Sequence, residues 1–77
     1  MDDIEIIRAE IDKIDKKLRS LLEQRRKNVE AVGELKKISA KEIRDLHREE
    51  KILKKCDHKY EREIFKVILS ESRKLQS

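Results

Sequence analysis

The sequence predicts an all-α protein with three helices per protomer, one long and two shorter. The 77 residues include one glycine and no proline, so few positions interrupt a helix. Charged residues make up 49% of the chain, which suits helix surfaces that carry paired side chains. Apolar residues also recur at helical spacing through the first half of the chain, and such a regular stripe argues against disorder.

The first helix is predicted over about residues 3–38. Its apolar side chains fall within a band roughly 100° wide. They are Ile4, Ile7, Ile11, Ile14, Leu18, Leu21, Leu22, Val29 and Val32. Asp2 or Asp3 can cap its start. Gly33 either permits a close approach of another backbone or is simply tolerated, at a cost of about 1 kcal/mol.

Two shorter helices are predicted to follow. Ser39 and Glu42 fit a capping box, which would place the second helix at about residues 40–55. A turn over 56–59 would lead to a third helix over about 60–75. The apolar residues expected to face the interior from these helices are Ile43, Leu46, Ile52, Leu53, Ile64, Phe65, Val67, Ile68, Leu69 and Leu75.

The length of the first helix predicts a homodimer. A rod of roughly 50 Å, at 1.5 Å per residue, cannot bury its whole stripe against two shorter helices. Long exposed apolar stripes are uncommon, and a symmetric dimer is the most frequent way to cover one. We therefore expect residues 1–77 to form a single domain that pairs with a second copy.

Composition argues for a soluble cytoplasmic protein. Cys56 is the only cysteine, which excludes an intramolecular disulfide and fits a reducing compartment. The start of the chain lacks the pattern of a signal peptide, and no apolar run approaches the roughly 20 residues of a membrane span. The net charge of +4 comes from interleaved acidic and basic residues, unlike the segregated basic patch of a nucleic-acid-binding protein.

Arg25 and Lys36 interrupt the apolar stripe of the first helix. Both lie within about 20° of Leu18 on the helical wheel. Because burying an unpaired cation costs several kcal/mol, a helix keeps one there only if an anion meets it. Two such cations indicate a pocket built for an anion.

Further polar residues lie on or beside the predicted apolar faces. They are Arg8, Asp45, Arg48, Glu49, Ser72 and Gln76. Taken singly, each also fits an ordinary structural role, such as an arginine whose charged end reaches solvent. Together with Arg25 and Lys36 they suit a small polyanion that carries a hydroxyl group.

The sequence offers no pattern for covalent, metal or phosphate-loop chemistry. His47 and His58 are expected to be exposed, and Cys56 with His58 provides too few ligands for a zinc site. There is no glycine-rich phosphate loop. An enzyme with this sequence would have to rely on positioning and electrostatics.

From Ile7 to Gln76 the chain resembles the all-helical class of chorismate mutase. Five segments carry the resemblance: Ile-Arg-x-x-Ile-Asp-x-Ile-Asp from Ile7 to Asp15, Arg25-Arg26, Val32-Gly33-x-x-Lys36, Arg44-Asp45-x-x-Arg48-Glu49, and Phe65-x-x-Ile68-Leu69-x-x-Ser72-x-x-x-Gln76. Each segment is weak alone, but all five in this order are specific. The resemblance implies an intertwined helical homodimer that rearranges chorismate to prephenate, in aromatic amino-acid biosynthesis, without a cofactor.

The same resemblance implies a role for each candidate residue. The substrate carboxylates would be held by Arg25, Arg48, Ser72 and an Arg8 that reaches in from the partner protomer. The ring hydroxyl would meet the backbone of Asp45 and the carboxylate of Glu49. The ether oxygen would accept hydrogen bonds from Lys36 and Gln76.

Two other functions fit parts of the sequence. A lyase on the same fold would eliminate pyruvate from isochorismate, but Glu49 favours the mutase, because the lyases are expected to lack a carboxylate there. A non-catalytic helical interaction module or nucleic-acid-binding module would need Arg25 and Lys36 to face solvent or a partner.

The connection between the second and third helices is shorter than is usual in the family that the chain resembles.

Overall fold

The structure, a computed structural model, describes residues 2–39 and 45–76. Over these residues it contains three helices and no strand: α1 (Asp3–Ser39), α2 (Leu46–Lys54) and α3 (Lys59–Gln76). The prediction of an all-α chain with one long and two shorter helices is confirmed.

Helix α1 is a rod that sets the length of the molecule. The carboxylate of Asp2 accepts a hydrogen bond from the backbone N–H of Glu5 at 2.8 Å, which caps the first turn. Its 37 residues correspond to about 55 Å at 1.5 Å per residue. The longest dimension of the molecule is 56 Å, so α1 spans it from end to end.

Helix α2 begins later than predicted. Asp45 has an extended backbone (φ −105°, ψ 91°), and its carboxylate accepts from the N–H of Arg48 at 3.0 Å. A continuous helix over 40–55 is therefore wrong, because Asp45 leaves the helical conformation to act as the N-cap. Ser39 is the last residue of α1 rather than the cap of α2. Glu42, the other half of the predicted capping box, lies outside the described residues.

A tight turn joins α2 to α3. The backbone N–H of Tyr60 donates to Nδ1 of His58 at 3.0 Å, and the Arg62 guanidinium donates to the carbonyl of Cys56 at 3.4 Å. Cys56 is only 5% exposed, and this burial raises the pKa of its thiol. The turn and the third helix lie within one residue of their predicted bounds.

Helix α3 packs against both other helices but is only partly covered by them. Leu69 is buried, and Phe65 and Ile68 are partly buried. The expectation that all the apolar residues of α3 face the interior is wrong for this chain. Three helices cannot enclose every face of α3, and the side chains left exposed are Ile64, Val67 and Leu75. Of the apolar residues assigned to the second helix, Leu46 is exposed, Ile52 and Leu53 are partly buried, and Ile43 lies outside the described residues.

The first half of α1 exposes its apolar stripe. Ile4, Ile7, Ile11 and Ile14 are each between 48% and 61% exposed. The radius of gyration is 16.0 Å, compared with about 11.5 Å for a compact domain of this length. A single copy therefore leaves much apolar surface in contact with water. None of the described helices is long and apolar enough to cross a membrane.

Candidate active site

All three described helices contribute to a cavity of about 470 Å³. Helix α1 lines it with Arg25, Asn28, Val29, Val32 and Lys36. Helix α2 and its N-cap line it with Asp45, Arg48, Glu49 and Ile52. Helix α3 lines it with Leu69, Ser72, Arg73 and Gln76. The lining thus includes four cationic side chains and two carboxylates. The volume of the cavity is within the range of small-molecule binding sites.

Seven of the eight site residues predicted from the sequence line this cavity. They are Arg25, Lys36, Asp45, Arg48, Glu49, Ser72 and Gln76. The site residues of each helix lie on one face, because positions three, four, seven and eleven apart share a face of an α-helix. The eighth residue, Arg8, does not line the cavity of its own chain.

Arg25 is held in place from α3. Its Nη1 donates to Oγ of Ser72 at 2.5 Å, and that hydroxyl donates to the carbonyl of Ile68 at 2.6 Å. Ser72 is 8% exposed, so its hydroxyl is buried with both a donor and an acceptor. A guanidinium has five N–H donors, so one bond to Ser72 fixes Arg25 without exhausting its capacity to bind an anion.

Lys36 lies against the end of α3. Its Nζ donates to the amide oxygen of Gln76 at 3.2 Å. Because the amide oxygen of Gln76 accepts this bond, the bond does not use the two donors of the amide NH₂ group. An ammonium and an amide donor are therefore adjacent at this edge of the cavity.

Gly33 allows the close approach of α1 and α3 on which the contact between Lys36 and Gln76 depends. Gly33 is buried, and a Cβ built on it would lie 3.0 Å from Cα of Gln76 and 3.3 Å from its Cγ. The first distance is shorter than an ordinary carbon contact, and the atom it meets is backbone. Of the two sequence interpretations of Gly33, the structure favours close approach.

For the rearrangement of chorismate that the sequence resemblance implies, we expect Gly33→Ala to lower kcat/KM about tenfold, because the methyl group displaces Gln76 and small misplacements are costly in catalysis. Alanine is the better helix former, so helicity measured by circular dichroism should not fall. Gly33→Val serves as the graded comparison and should lose more activity. A Gly33→Ala variant with full activity would show that the spacing at Gln76 does not matter.

Glu49 bonds to a residue that the sequence analysis did not single out. Arg73 donates from Nη1 to Oε1 of Glu49 at 2.7 Å. The side chains are 30% and 15% exposed respectively, so the ion pair is largely shielded from solvent. The two residues are 24 positions apart, and no local spacing could have predicted their contact.

Asp45 and Arg48 lie at the N-terminus of α2. The carboxylate of Asp45 accepts from the N–H of Arg48, and its carbonyl accepts from the N–H of Glu49 at 3.0 Å. The side chain of Asp45 is therefore engaged in capping. Arg48 is exposed at the rim of the cavity. Arg44, which begins the corresponding sequence segment, lies outside the described residues.

Arg8 lies far from the cavity along α1. It precedes Arg25 by a distance of about 25 Å at 1.5 Å per residue, beyond the reach of its side chain. Its guanidinium is exposed and pairs with Glu5 at 3.4 Å. The single chain thus separates Arg8 from the other predicted site residues.

The groups at the cavity can bind an anion and donate hydrogen bonds. Within residues 2–39 and 45–76, no group of three or more His, Cys, Asp or Glu side chains is arranged to hold a metal ion. His47 and His58 are both exposed, and neither lines the cavity. The side chains that line the cavity offer fixed charges and hydrogen bonds.

The described residues form three helices around a cavity that four cationic side chains line. The family model for chorismate mutase type II matches residues 7–77, and the chain belongs to that all-helical family. The resemblance found in the sequence is confirmed. The family implies an isomerase that converts chorismate to prephenate. Comparison with curated proteins and with solved structures gave no match.

Proposed function

We propose that the cavity is the chorismate site and that it catalyses the rearrangement by selecting a substrate conformer and stabilising the transition state. One observation carries this proposal. Arg25 and Lys36, two cations from the apolar stripe of α1, reach the same cavity, and each bonds to a polar residue of α3. The identity of the substrate, chorismate, is inferred from membership in the family.

The carboxylates of chorismate are assigned to the arginines. Arg25, fixed by Ser72, holds one carboxylate, and Arg48 contributes from the rim. Holding both carboxylates of a flexible molecule favours the compact conformer in which the reacting carbons are close together. This contribution of the arginines to the reaction rate is largely entropic, because the substrate is ordered when it binds rather than during the reaction.

The ether oxygen is assigned to Lys36 and Gln76. The ether carbon–oxygen bond breaks while a carbon–carbon bond forms within the same molecule, so no nucleophile or proton transfer is required. Negative charge grows on the ether oxygen as its bond to carbon lengthens. Fixed donors at that position stabilise the transition state more than the substrate, which is the condition for raising kcat.

The ring hydroxyl is assigned to Glu49 and Asp45. A carboxylate accepts hydrogen bonds, so Glu49 can fix the hydroxyl and thereby the orientation of the ring. The carboxylate of Asp45 is engaged with the N–H of Arg48, which supports a role for Asp45 through its backbone.

The functional unit that we propose is an intertwined homodimer with two shared sites. The apolar stripe exposed on α1 needs a cover, and a second copy presents the same stripe. Arg8 cannot reach the cavity of its own chain, whereas the partner's Arg8 can complete the grip on a carboxylate. Each chain, residues 1–77, would then be one domain, and the product would enter aromatic amino-acid biosynthesis.

A turnover assay tests this proposal. The purified protein is mixed with chorismate in the presence of a chelator, and the loss of chorismate is compared with the gain of prephenate. A sample without protein corrects for the uncatalysed reaction, and a parallel sample contains isochorismate. We expect stoichiometric conversion of chorismate to prephenate. Absence of turnover at high protein concentration would overturn the proposal, and release of pyruvate from isochorismate alone would favour the lyase.

A further inference from the structure

The ion pair between Arg73 and Glu49 differs from the surface pairs of this chain. Pairs such as Lys74 with Glu71 join positions three apart on one helix, and their side chains are 72% and 59% exposed. Arg73 and Glu49 instead join α3 to α2 at 2.7 Å, with exposures of 30% and 15%. Exposed pairs contribute little to stability, whereas a shielded charge-assisted bond fixes both partners.

We propose that Arg73 is a positioning residue that orients the carboxylate of Glu49 for the hydroxyl group of the substrate. The inference rests on the proposed function of the cavity. A carboxylate has about four acceptor positions, so a donor on Oε1 orients Glu49 and leaves acceptor capacity for a hydroxyl group. The guanidinium therefore acts through Glu49 rather than on the reacting atoms.

Arg73 also offsets the negative charge of Glu49. Chorismate is a dicarboxylate, so an uncompensated carboxylate in its site would repel it. The cavity has four cationic side chains and two carboxylates. Arg73 contributes positive charge at 2.7 Å from Glu49 in a largely shielded position, where charges interact more strongly than in water.

The position of Arg73 on α3 supports this role. Ser72 bonds to Arg25, Arg73 bonds to Glu49, and Gln76 bonds to Lys36. Neighbouring residues of one helix thus each hold a different functional group of α1 or α2. Helix α3 acts as the support that sets the relative positions of those groups.

Steady-state kinetics with three variants test the assignment. We expect Arg73→Met to lower kcat/KM for chorismate about tenfold or more, the usual effect of losing a hydrogen bond between charged groups. Arg73→Lys keeps the charge and should recover part of the loss. Lys74→Met removes an exposed cation from the adjacent position and should change kcat/KM less than twofold. Full activity of Arg73→Met would overturn the proposal.

A second set of measurements separates positioning from direct substrate binding. In a Glu49→Ala background, Arg73→Met should lower kcat/KM by less than a further twofold, because the carboxylate that Arg73 positions is absent. An equal loss in both backgrounds would overturn the positioning role and assign Arg73 a substrate contact of its own.

Urea unfolding distinguishes failure of this inference from failure of the proposed function. The midpoints of the wild type, the two single variants and the double variant are compared at one protein concentration. If Arg73 and Glu49 interact, the double variant should shift the urea midpoint by less than the sum of the two single shifts. If the wild type did not convert chorismate, the proposed function would fail, while the unfolding shifts would still test the pair. Additive shifts would overturn the assignment of Arg73 to Glu49.

Discussion

Replacing Lys36 with alanine is expected to lower kcat for chorismate by about two to three orders of magnitude, equivalent to about 3–4 kcal/mol of transition-state stabilisation. In the proposed mechanism, its ammonium meets negative charge that exists on the ether oxygen only as the bond breaks. KM should change much less, because the proposed assignment gives the substrate carboxylates to other residues. Steady-state kinetics at saturating chorismate measures the effect.

The neighbouring Lys37 provides a matched control for Lys36. Lys37 is exposed on the same turn of α1 and pairs with Glu34 at 3.5 Å. Lys37→Ala removes the same charge from the same helix and should leave kcat within about twofold, as expected for an exposed ion pair. Equal losses from the two variants would show that Lys36 acts through net charge rather than through its position beside Gln76.

Arg8→Ala is expected to lower kcat/KM about a hundredfold or more, although Arg8 lies about 25 Å along α1 from Arg25 of its own chain. The expected cause is the loss of a carboxylate contact supplied across the dimer. Sedimentation or size-exclusion measurements should show that the variant still forms dimers, because Arg8 lies at the margin of the apolar stripe. Initial rates over a range of chorismate concentrations give kcat/KM of the Arg8→Ala variant.

Lys13→Ala is the control for Arg8→Ala. Lys13 is exposed and pairs with Glu10 three positions away, as Arg8 pairs with Glu5. It lies about 140° around the helical wheel from Leu18, away from the stripe. Its replacement should not change kcat/KM measurably. Wild-type kinetics in the Arg8→Ala variant would contradict the shared site.

The bounds of α1 could be predicted because its apolar residues repeat with one period over many turns, and no proline interrupts them. The first residue of α2 could not be predicted from the sequence. Ser39 with Glu42 and Asp45 with Arg48 both offer local signals for an N-cap, and local spacing does not decide between them. In the structure, α1 continues to Ser39, and the carboxylate of Asp45 is the one that caps α2.

The candidate site could be predicted where a polar residue breaks an apolar pattern. Arg25 and Lys36 on α1, and Ser72 and Gln76 on α3, carry that signal, and the structure brings them together in pairs. Arg73 carries no such signal, because it lies beside the apolar face of α3 and its partner is on another helix. The proposed role of Arg8 depends on a second chain, which the periodicity of one sequence cannot describe.

The central claim is that two chains build each active site, and mixing two inactive variants tests it most directly. Arg8→Ala and Arg25→Ala are purified separately, unfolded together and refolded at equal concentration. If each site combines Arg25 of one chain with the partner's Arg8, half of the dimers are mixed and each contains one intact site, so activity should return to about a quarter of that of the wild type. Activity that stayed at the level of the separate variants would contradict the account.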